Sequence, residues 1–162
     1  MSRIGFGYDS HRFEAGRALV LGGVRIDSDR GLAGHSDADA VLHAITDAVL
    51  GAIAGGDIGE LFPDTDEKWS DADSSVFVTE AVRRAELLDL SVANCDVTVL
   101  AEQPKLGPAK AAMARRIAEL LRCPAECVAV KAKTNEQMGF VGRGEGIAAF
   151  AAVLLEEAGG RP

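Results

Sequence analysis

Extended and helical hydrophobic patterns alternate along this chain, and the alternation limits the folds it can adopt. The helical segments begin near Ser36 or Asp37, near Asp73 or Ser74, and after Pro108, all residues suited to a helix start. The extended segments cover 3–13, 18–26, 91–101 and 128–133, and the expected loops cover 31–36 and 57–73. Alternating elements without a repeat or a long linker predict the α/β or α+β class.

The C-terminal run over 146–156 is ambiguous. Its alanines favour a helix, whereas Ile147, Phe150 and Val153 also suit a buried strand, and periodicity alone leaves both open. A length of 162 residues suits one domain with an apolar core. We expect this domain to cover 1–158 and a flexible tail to cover 159–162.

The composition and net charge of the chain disfavour some classes of function. The formal net charge is -8, which disfavours nucleic-acid binding because that function usually needs a basic surface. An acidic protein that binds a polyanion needs metal ions or a few well-placed Lys and Arg side chains. The sequence lacks a membrane-spanning apolar run and a secretory signal, so we expect a cytoplasmic protein with no membrane partner. The three cysteines are expected to be buried or half-buried thiols outside any disulfide framework.

Asp9 and His11 form the first candidate site. In an extended segment, residues two apart point to the same side, so both side chains can reach one ion. His43, on the first predicted helix, could be the third ligand of a catalytic zinc site with an open fourth position. Asp39 and Asp47 lie four residues before and after His43, and this polar stripe is expected to face the site. The alternative is a surface hydrogen bond between Asp9 and His11, with His43 merely packed.

Three further segments suit phosphate groups. His35 and Ser36 precede the first helix, whose free amide groups attract an anion, although Ser36 could be only a cap. Residues 131–136 place lysines, Thr134 and Glu136 after a strand, so Glu136 could bind Mg²⁺ while Thr134 contacts phosphate. The alternative is a solvated strand end. The glycine-rich run over 139–146 carries Arg143, which can bind an oxyanion, but it matches neither a P-loop nor a dinucleotide fingerprint.

Taken in order, these segments resemble the 2-C-methyl-D-erythritol 2,4-cyclodiphosphate synthase family nearly from end to end. The resemblance is carried by 3–5, 9–11, 22–24, 35–39 with His43 and Asp47, 56–59, 62–66, 96–98, 131–132 with Thr134 and Glu136, 139–140, and 142–146. Each motif is short, but their shared order and spacing are specific. The resemblance implies an α+β fold of the α/β-sandwich type: a mixed sheet packed with helices, the C-terminal run as a strand, and a homotrimer with its sheets around a threefold axis.

The resemblance also implies the reaction and its metals. The family converts 4-diphosphocytidyl-2-C-methyl-D-erythritol 2-phosphate to the 2,4-cyclodiphosphate and CMP, a phosphorus–oxygen lyase step of non-mevalonate isoprenoid biosynthesis. By the resemblance, Asp9, His11 and His43 bind Zn²⁺ or another divalent transition metal, and Glu136 binds Mg²⁺ or Mn²⁺. His35 and Thr134 are the implied catalytic residues.

The implied substrate-binding residues come from two neighbouring subunits. One subunit would supply Asp9, His11, His35, Ser36, Asp57, Gly59, Phe62, Asp64 and Asp66, and the next would supply Ala101, Lys105, Leu106, Ala132, Lys133 and Thr134. Phe140 and Arg143, with Glu145, would line a cavity on the threefold axis that can hold an isoprenoid diphosphate in relatives.

The chain departs from familiar relatives at three positions. Lys133 and Asn135 replace hydroxyl residues, and Phe150 stands where some relatives carry Glu at the axial cavity, which bears on isoprenoid binding but not on the cyclase chemistry. Two other functions remain open: a metal-dependent phosphohydrolase that uses the same ligands to activate water, and a noncatalytic trimeric binding protein stapled by zinc.

Overall fold

The computed structural model describes residues 1–159, which form a mixed β-sheet packed with helices. The strands are β1 (Arg3–Ala15), β2 (Leu19–Leu21), β3 (Val24–Ile26), β4 (Arg30–Leu32), β5 (Leu90–Leu100), β6 (Val128–Lys133) and β7 (Gly146–Glu157). The α-helices are α1 (Ala40–Ala52), α2 (Ile58–Leu61), α3 (Ser75–Glu86), α4 (Lys110–Leu121) and α5 (Gly139–Gly142). Short 3₁₀ turns cover Glu67–Trp69, Gly107–Ala109 and Ala125–Cys127. The predicted α+β class is confirmed.

The five-stranded sheet has the order β4-β1-β7-β5-β6, and β2 pairs with β3 in a separate hairpin. β7 is antiparallel to β1 and to β5, whereas β5 and β6 are parallel. The ambiguous C-terminal run is therefore a strand, as the family resemblance implied, and it lies at the centre of the sheet. Its alanines include Ala149, which pairs with Asp9 of β1 and with Val99 of β5. β7 has a neighbouring strand on each side, and one of its faces is buried under the helices. Small side chains fit on that face, which explains why this strand is rich in alanine although alanine also favours a helix.

Glycines on β1 allow α1 to pack unusually close to the sheet. A Cβ atom on Gly5 would lie 1.7 Å from Ala48 O, and a Cβ atom on Gly7 would lie 1.9 Å from Ala44 O. Only glycine fits at these two positions, because a side chain would overlap the helix backbone. The register of α1 on β1 is thereby fixed at the point where the candidate metal ligands lie.

The other face of β1 is exposed and apolar. Ile4, Phe6 and Tyr8 have 76%, 66% and 44% of their surface exposed. The ring of Phe150, on β7, lies with its centroid 6.1 Å from that of Phe6 and 5.0 Å from that of Tyr8. The sheet is thus covered by helices on one face and presents a cluster of large apolar side chains on the other.

Helix α1 begins later than the sequence predicted. It starts at Ala40 because the side chain of Asp39, and not that of Ser36 or Asp37, accepts hydrogen bonds from the first-turn amides of Val41 and Leu42. The same carboxylate accepts from the amides of Gly22 and Gly23 at 2.9 and 2.7 Å, so it also anchors the β2–β3 hairpin. Asp39 is completely buried by these contacts.

Other elements differ from the sequence-based expectations in detail. The predicted strand over 18–26 is the hairpin of β2 and β3, because Gly22 and Gly23 adopt positive φ and turn the chain. The predicted loop over 57–73 contains α2 and a 3₁₀ turn, and α5 was not predicted. Within 1–159, no helix is long and apolar enough to cross a membrane. Of the predicted tail over 159–162, only Gly159 lies within the described residues.

Candidate metal centre and active site

The candidate metal centre lies where β1 crosses α1. Asp9 and His11 lie on the face of β1 that packs against the helix, and His43 projects toward them from α1. Asp9 Oδ2 is 2.9 Å from both His11 Nε2 and His43 Nδ1, and the two ring nitrogens are 3.2 Å apart. The prediction that these three side chains converge is confirmed.

The three donor atoms fit a divalent transition metal. Two imidazole nitrogens and one carboxylate oxygen form a common catalytic zinc set, which leaves one position for water or substrate. Their separations are near the edge length of roughly 3.3 Å that bonds of about 2.0–2.1 Å give in a tetrahedron. Only 12% of the His43 side chain and 27% of the Asp9 side chain are exposed. Few water molecules can therefore reach these ligand atoms and compete with a metal ion for them.

Hydrogen bonds on the far side of each imidazole orient the rings. His11 Nδ1 lies 2.7 Å from Ala33 O, so it carries the proton and leaves Nε2 free to bind a metal. His43 Nε2 lies 2.9 Å from Ser74 Oγ, which leaves Nδ1 facing Asp9. The Ser74 hydroxyl in turn donates a short hydrogen bond to Asp37. With the outer nitrogens engaged in this way, His11 Nε2 and His43 Nδ1 can each offer a lone pair to a bound ion. Without an ion, the same two nitrogens lie within hydrogen-bond distance of Asp9 Oδ2, and a bound metal would replace those two contacts.

The electrostatics of the centre favour an ionised carboxylate. Burial alone would raise the pKa of Asp9, but hydrogen bonds from His11 and His43 hold that pKa well below its usual range. Burial would likewise lower the pKa of His11, and its hydrogen bond to Asp9 raises it instead. Asp9 is therefore an anionic ligand with two imidazoles already directed at the same oxygen.

The prediction that Asp39 faces the metal centre from α1 is wrong. Asp47 does not orient a ligand histidine, because its carboxylate accepts from a backbone amide instead. Asp39 caps the helix and faces the hairpin, and burial raises its pKa to about 6 although the amides of Gly23, Leu42 and Gly22 favour its ionised form. Asp47 accepts a hydrogen bond from Ile58 N at 2.8 Å, so it holds the start of α2. Burial raises the pKa of Asp47 as well. The outer partners of the ligands are instead Ala33 O and Ser74.

A cavity of about 520 Å³ opens beside the metal centre. It is lined by His11, Gly34, His35, Ser36, His43, Ile58, Gly59, Phe62, Pro63, Asp64, Thr65, Trp69 and Phe77. Six of the nine residues implied to bind substrate from this subunit are therefore brought together: His11, His35, Ser36, Gly59, Phe62 and Asp64. Asp57 and Asp66 instead cap α2 and the following 3₁₀ turn, where their side chains accept from the amides of Glu60 and Lys68.

One wall of this cavity is an aromatic cluster that sequence reasoning missed. Phe62, Trp69 and Phe77 have ring centroids 4.7–5.6 Å apart. Trp69 Nε1 is buried without a hydrogen-bond partner among the described residues. Phe77 lies in the first turn of α3, one residue before the predicted apolar stripe of that helix. Aromatic residues make up only 5% of the sequence, so three of them within the sixteen positions from Phe62 to Phe77 were the signal that could have added Trp69 and Phe77 to Phe62.

A second cavity, of about 270 Å³, lies where the parallel strands β5 and β6 end. It is lined by Ala101, Pro104, Lys105, Leu106, Gly107, Pro108, Lys110, Ala132, Lys133 and Thr134. All six residues implied to bind the cytidine and its phosphates are among them. Adjacent carboxyl ends of parallel strands bring the two segments together, since Val99 pairs with Ala132 and Leu100 with Lys133. This cavity shares no lining residue with the first.

Glu136 lies on an exposed turn that follows this second cavity. It and Gln137 both adopt left-handed backbone conformations, with φ of 51° and 62°. The Glu102 carboxylate supports the turn by accepting hydrogen bonds from the amides of Asn135 and Gln137 at 2.9 and 3.1 Å. The Thr134 hydroxyl donates to Glu136 Oε1 at 2.9 Å. Glu136 and Thr134 thus form a polar pair directed by the backbone of the turn.

Phe140 and Arg143 lie apart from both cavities. Phe140 belongs to α5 and is exposed, while Arg143 follows that helix and forms an ion pair with Glu145, with 2.6 Å between Nε and Oε1. The pKa of Glu145 is lowered by the hydrogen bond from Arg143. The single chain does not bring these residues to the metal centre.

Comparisons with known proteins agree on one family. The family model described as YgbB matches residues 2–156. A 2-C-methyl-D-erythritol 2,4-cyclodiphosphate synthase of Salinibacter ruber is 54% identical over 156 residues, which cover 96% of this chain and 99% of that protein. A solved 2C-methyl-D-erythritol-2,4-cyclodiphosphate synthase in a CDP-bound form is 42% identical with a TM-score of 0.88, over 95% of this chain and all of that one. The bifunctional IspDF of Campylobacter jejuni is 41% identical with a TM-score of 0.93 over 97% of this chain, which spans 42% of that larger protein.

Proposed function

Because this chain belongs to the YgbB family, we propose that it catalyses the 2-C-methyl-D-erythritol 2,4-cyclodiphosphate synthase reaction of non-mevalonate isoprenoid biosynthesis. The substrate is 4-diphosphocytidyl-2-C-methyl-D-erythritol 2-phosphate. An oxygen of its 2-phosphate bonds to the β-phosphorus, and the bond from that phosphorus to the bridging oxygen breaks. CMP leaves with the electron pair of the broken bond, and the reaction is of the phosphorus–oxygen lyase type.

The observation that carries the proposal is the convergence of Asp9, His11 and His43 beside a cavity that His35 and Ser36 also line. The three ligands would hold Zn²⁺ or another divalent transition metal, and Glu136 would hold Mg²⁺ or Mn²⁺. Bound cations supply positive charge that polarises phosphoryl oxygens, an effect of several kcal/mol on the transition state. The two phosphate groups repel each other, and the chain, with a formal net charge of -8, supplies little positive charge of its own. The bound cations would therefore offset this repulsion.

The side chains of this chain bind and orient the substrate. His35 and Ser36 contact the phosphate next to the metal centre, and His35 and Thr134 steady the transition state. Gly59, Phe62 and Asp64 hold the methylerythritol, and Asp57 and Asp66 support that wall of the cavity by capping α2 and the 3₁₀ turn. Attack is intramolecular, so holding the two phosphates in line removes much of the entropic barrier without a covalent intermediate.

The cytidine diphosphate part would bind in the second cavity, and a related solved structure in a CDP-bound form supports a nucleotide ligand. Ala101, Lys105 and Leu106 lie on one side of it, and Ala132, Lys133 and Thr134 on the other. Lys105 and Lys133 would supply local positive charge to the two phosphates.

We propose that the active protein is a homotrimer whose sites form between neighbouring subunits. Two features support this assembly: the two cavities share no lining residue, and the open face of the sheet exposes Ile4, Phe6 and Tyr8. Contiguous exposed apolar surface of this kind marks protein interfaces. Phe140 and Arg143 would meet their symmetry mates near the threefold axis. Residues 1–158 are proposed to form one domain in each subunit, consistent with one buried apolar cluster.

Phosphorus NMR tests the reaction directly. The protein is incubated with the cytidylyl substrate, Zn²⁺ and Mg²⁺ in ¹⁸O-labelled water, with a chelator-treated sample as control. We expect CMP and a cyclic diphosphate without labelled oxygen, formed only when metal is present. Labelled phosphate products would favour a metal-dependent phosphohydrolase instead. Bound metal and substrate without turnover would favour a noncatalytic binding protein stapled by zinc.

A further inference from the structure

The segment over 33–36, between β4 and α1, is held by hydrogen bonds to each of its four carbonyl groups. Ala33 O accepts from His11 Nδ1, and His35 O accepts from Asp71 N at 2.8 Å. The other two carbonyls, Gly34 O and Ser36 O, both accept from Arg17: Nη1 donates to Gly34 at 2.9 Å and Nη2 donates to Ser36 at 2.5 Å. One guanidinium therefore holds the carbonyls of the residues before and after His35, while Asp71 N holds the carbonyl of His35 itself.

The side chain of His35 has no such support of its own. It is exposed, and it makes no hydrogen bond or ion pair with any residue in the described part of the chain. The direction in which its imidazole enters the cavity is consequently set by the backbone over 34–36. Arg17 holds the carbonyl of the peptide before His35 and that of Ser36, and Asp71 N holds the carbonyl of the peptide between them, so these contacts together fix the Cα–Cβ direction of His35.

The chemistry of Arg17 suits this role better than that of an ordinary surface arginine. A guanidinium is planar and presents several N–H donors in a fixed fork, so it can bridge two acceptors that a lysine could not hold together. Asp37 and Asp71 line the same surface depression as Arg17, but the guanidinium donates to neutral carbonyls. Its one ion pair among the described residues, with Glu14, is long at 3.8 Å.

The position of Arg17 follows from the end of β1. Gly16 adopts a φ of +80°, which L-residues with side chains avoid, and it turns the chain back toward the loop directly after the strand. Arg17 thus follows two residues after the end of the strand that carries Asp9 and His11. The position of the guanidinium is therefore tied to the strand that supplies two of the three metal ligands.

We propose that Arg17 is a positioning residue that orients His35, and with it Ser36, toward the phosphate beside the metal centre. The inference rests on the proposed function for its catalytic consequence, but the orientation of His35 can be measured without turnover. Arg17 itself touches the loop backbone and not the substrate. Its loss should therefore lower kcat more than it raises KM, and should leave metal binding intact.

The test compares Arg17→Met and Arg17→Lys with Arg25→Met. Methionine keeps the apolar stem without the fork, and lysine keeps the charge. Arg25 is exposed on β3 and has no hydrogen bond or ion pair in the described part of the chain. We expect Arg17→Met to lower kcat by about 100-fold, the size of effect that a displacement near 1 Å can produce. KM should change by less than about threefold, and the lysine variant should fall between the two, near tenfold.

The second readout is the imidazole region of the NMR spectrum of the zinc-loaded protein. The chain has only three histidines, so each ring can be assigned from single-histidine variants. In Arg17→Met, the His35 ring signals should move toward those of free histidine while the His11 and His43 signals stay in place. Zinc content should equal that of the wild type.

The outcomes separate the two proposals. If the wild type shows no cyclase turnover, the proposed function fails, and the His35 signals still decide whether Arg17 orients that ring. If Arg17→Met matches Arg25→Met in both kcat and His35 signals, the positioning role is overturned. If Arg17→Met does not fold, Arg17→Lys decides, because a merely structural cation would then preserve the His35 signals and kcat.

Discussion

The metal centre and the Glu136 turn are supported in opposite ways. Asp9 and His11 project from β1, and His43 projects from α1. Hydrogen bonds with Ala33 O and Ser74 Oγ orient the rings of His11 and His43. Glu136 is exposed on a turn with two consecutive left-handed residues, and its main support is the Glu102 carboxylate. The three donor atoms of the first region converge within one chain, whereas the second region is open to solvent, as expected for the half-site of the proposed homotrimer.

The difference shows which interactions fix the geometry of each region. Packing of secondary-structure elements fixes the metal ligands, so their geometry should survive in a single isolated chain. The turn is fixed by few hydrogen bonds, so its final geometry should depend on cations, substrate and a neighbouring subunit. Variants in the first region should therefore affect metal binding, and variants in the second should affect the response to Mg²⁺.

The largest effect is expected for His43→Ala. Removing one of three ligands should abolish stoichiometric zinc binding and lower turnover by at least about 1,000-fold, since the metal contributes several kcal/mol to transition-state stabilisation. Zinc content by mass spectrometry and turnover by phosphorus NMR measure both effects. His35→Ala is the matched control, because it removes an imidazole from the same cavity and should lose turnover while keeping zinc. Normal turnover of metal-free His43→Ala would contradict the zinc assignment.

Glu136→Gln should have the next largest effect, and it should leave the metal centre untouched. The amide is a weaker ligand for a hard cation than the carboxylate. We expect turnover at fixed Mg²⁺ to fall by about 100-fold, within the several kcal/mol that a catalytic cation supplies. A Mg²⁺ titration of activity measures this, with the exposed Glu126→Gln as control. A normal Mg²⁺ response, or a loss of zinc, would break the proposed division between the two regions.

The sequence predicted the metal centre and the nucleotide-side cavity to different extents. The Asp-x-His pair and a helical histidine are local patterns, and strand and helix periodicity predict which way those side chains point. The grouping of 101–106 with 132–134 came from the family resemblance, because pairing of distant parallel strands is not written in local periodicity. The late start of α1 could not be predicted, since Ser36, Asp37 and Asp39 are all good caps and only the hairpin contact to Gly22 and Gly23 selects Asp39.

Gly7→Ala should destabilise the metal region through packing alone. The new Cβ would lie 1.9 Å from Ala44 O, so α1 must move away from β1. Overpacking of this kind costs about 1–3 kcal/mol of unfolding free energy, and the displaced helix should also weaken zinc binding through His43. Urea unfolding in the presence of a chelator isolates the packing effect, and a zinc competition assay measures the second.

Gly51→Ala is the matched control for that variant. Gly51 lies on the same helix, but the nearest atom to its added Cβ is Phe6 O at 4.0 Å. An alanine in a helix interior is favoured over glycine by about 0.5–1 kcal/mol, so this variant should be more stable than the wild type. Equal destabilisation by both substitutions would show that close packing on β1 does not set the helix position.

The smallest effect is expected for Glu102→Gln, which separates charge from shape in the support of the Glu136 turn. The amide oxygen can still accept from Asn135 N and Gln137 N, but without the added strength of a charged acceptor. The loss should be less than about 1 kcal/mol, so the Mg²⁺ needed for half-maximal activity should rise less than about fivefold. Glu102→Ala removes both hydrogen bonds and should raise it by about tenfold or more.

The contrast between these two variants decides what Glu102 does. A turn held by hydrogen bonds tolerates glutamine and not alanine, because only alanine leaves the amides of Asn135 and Gln137 without their acceptor. A direct cation ligand would instead respond to loss of charge, and Glu102→Gln would then be as impaired as Glu136→Gln. In that case the cation would be bound by two carboxylates of one chain, and the turn would be a preformed site like the metal centre and not a half-site completed by its surroundings.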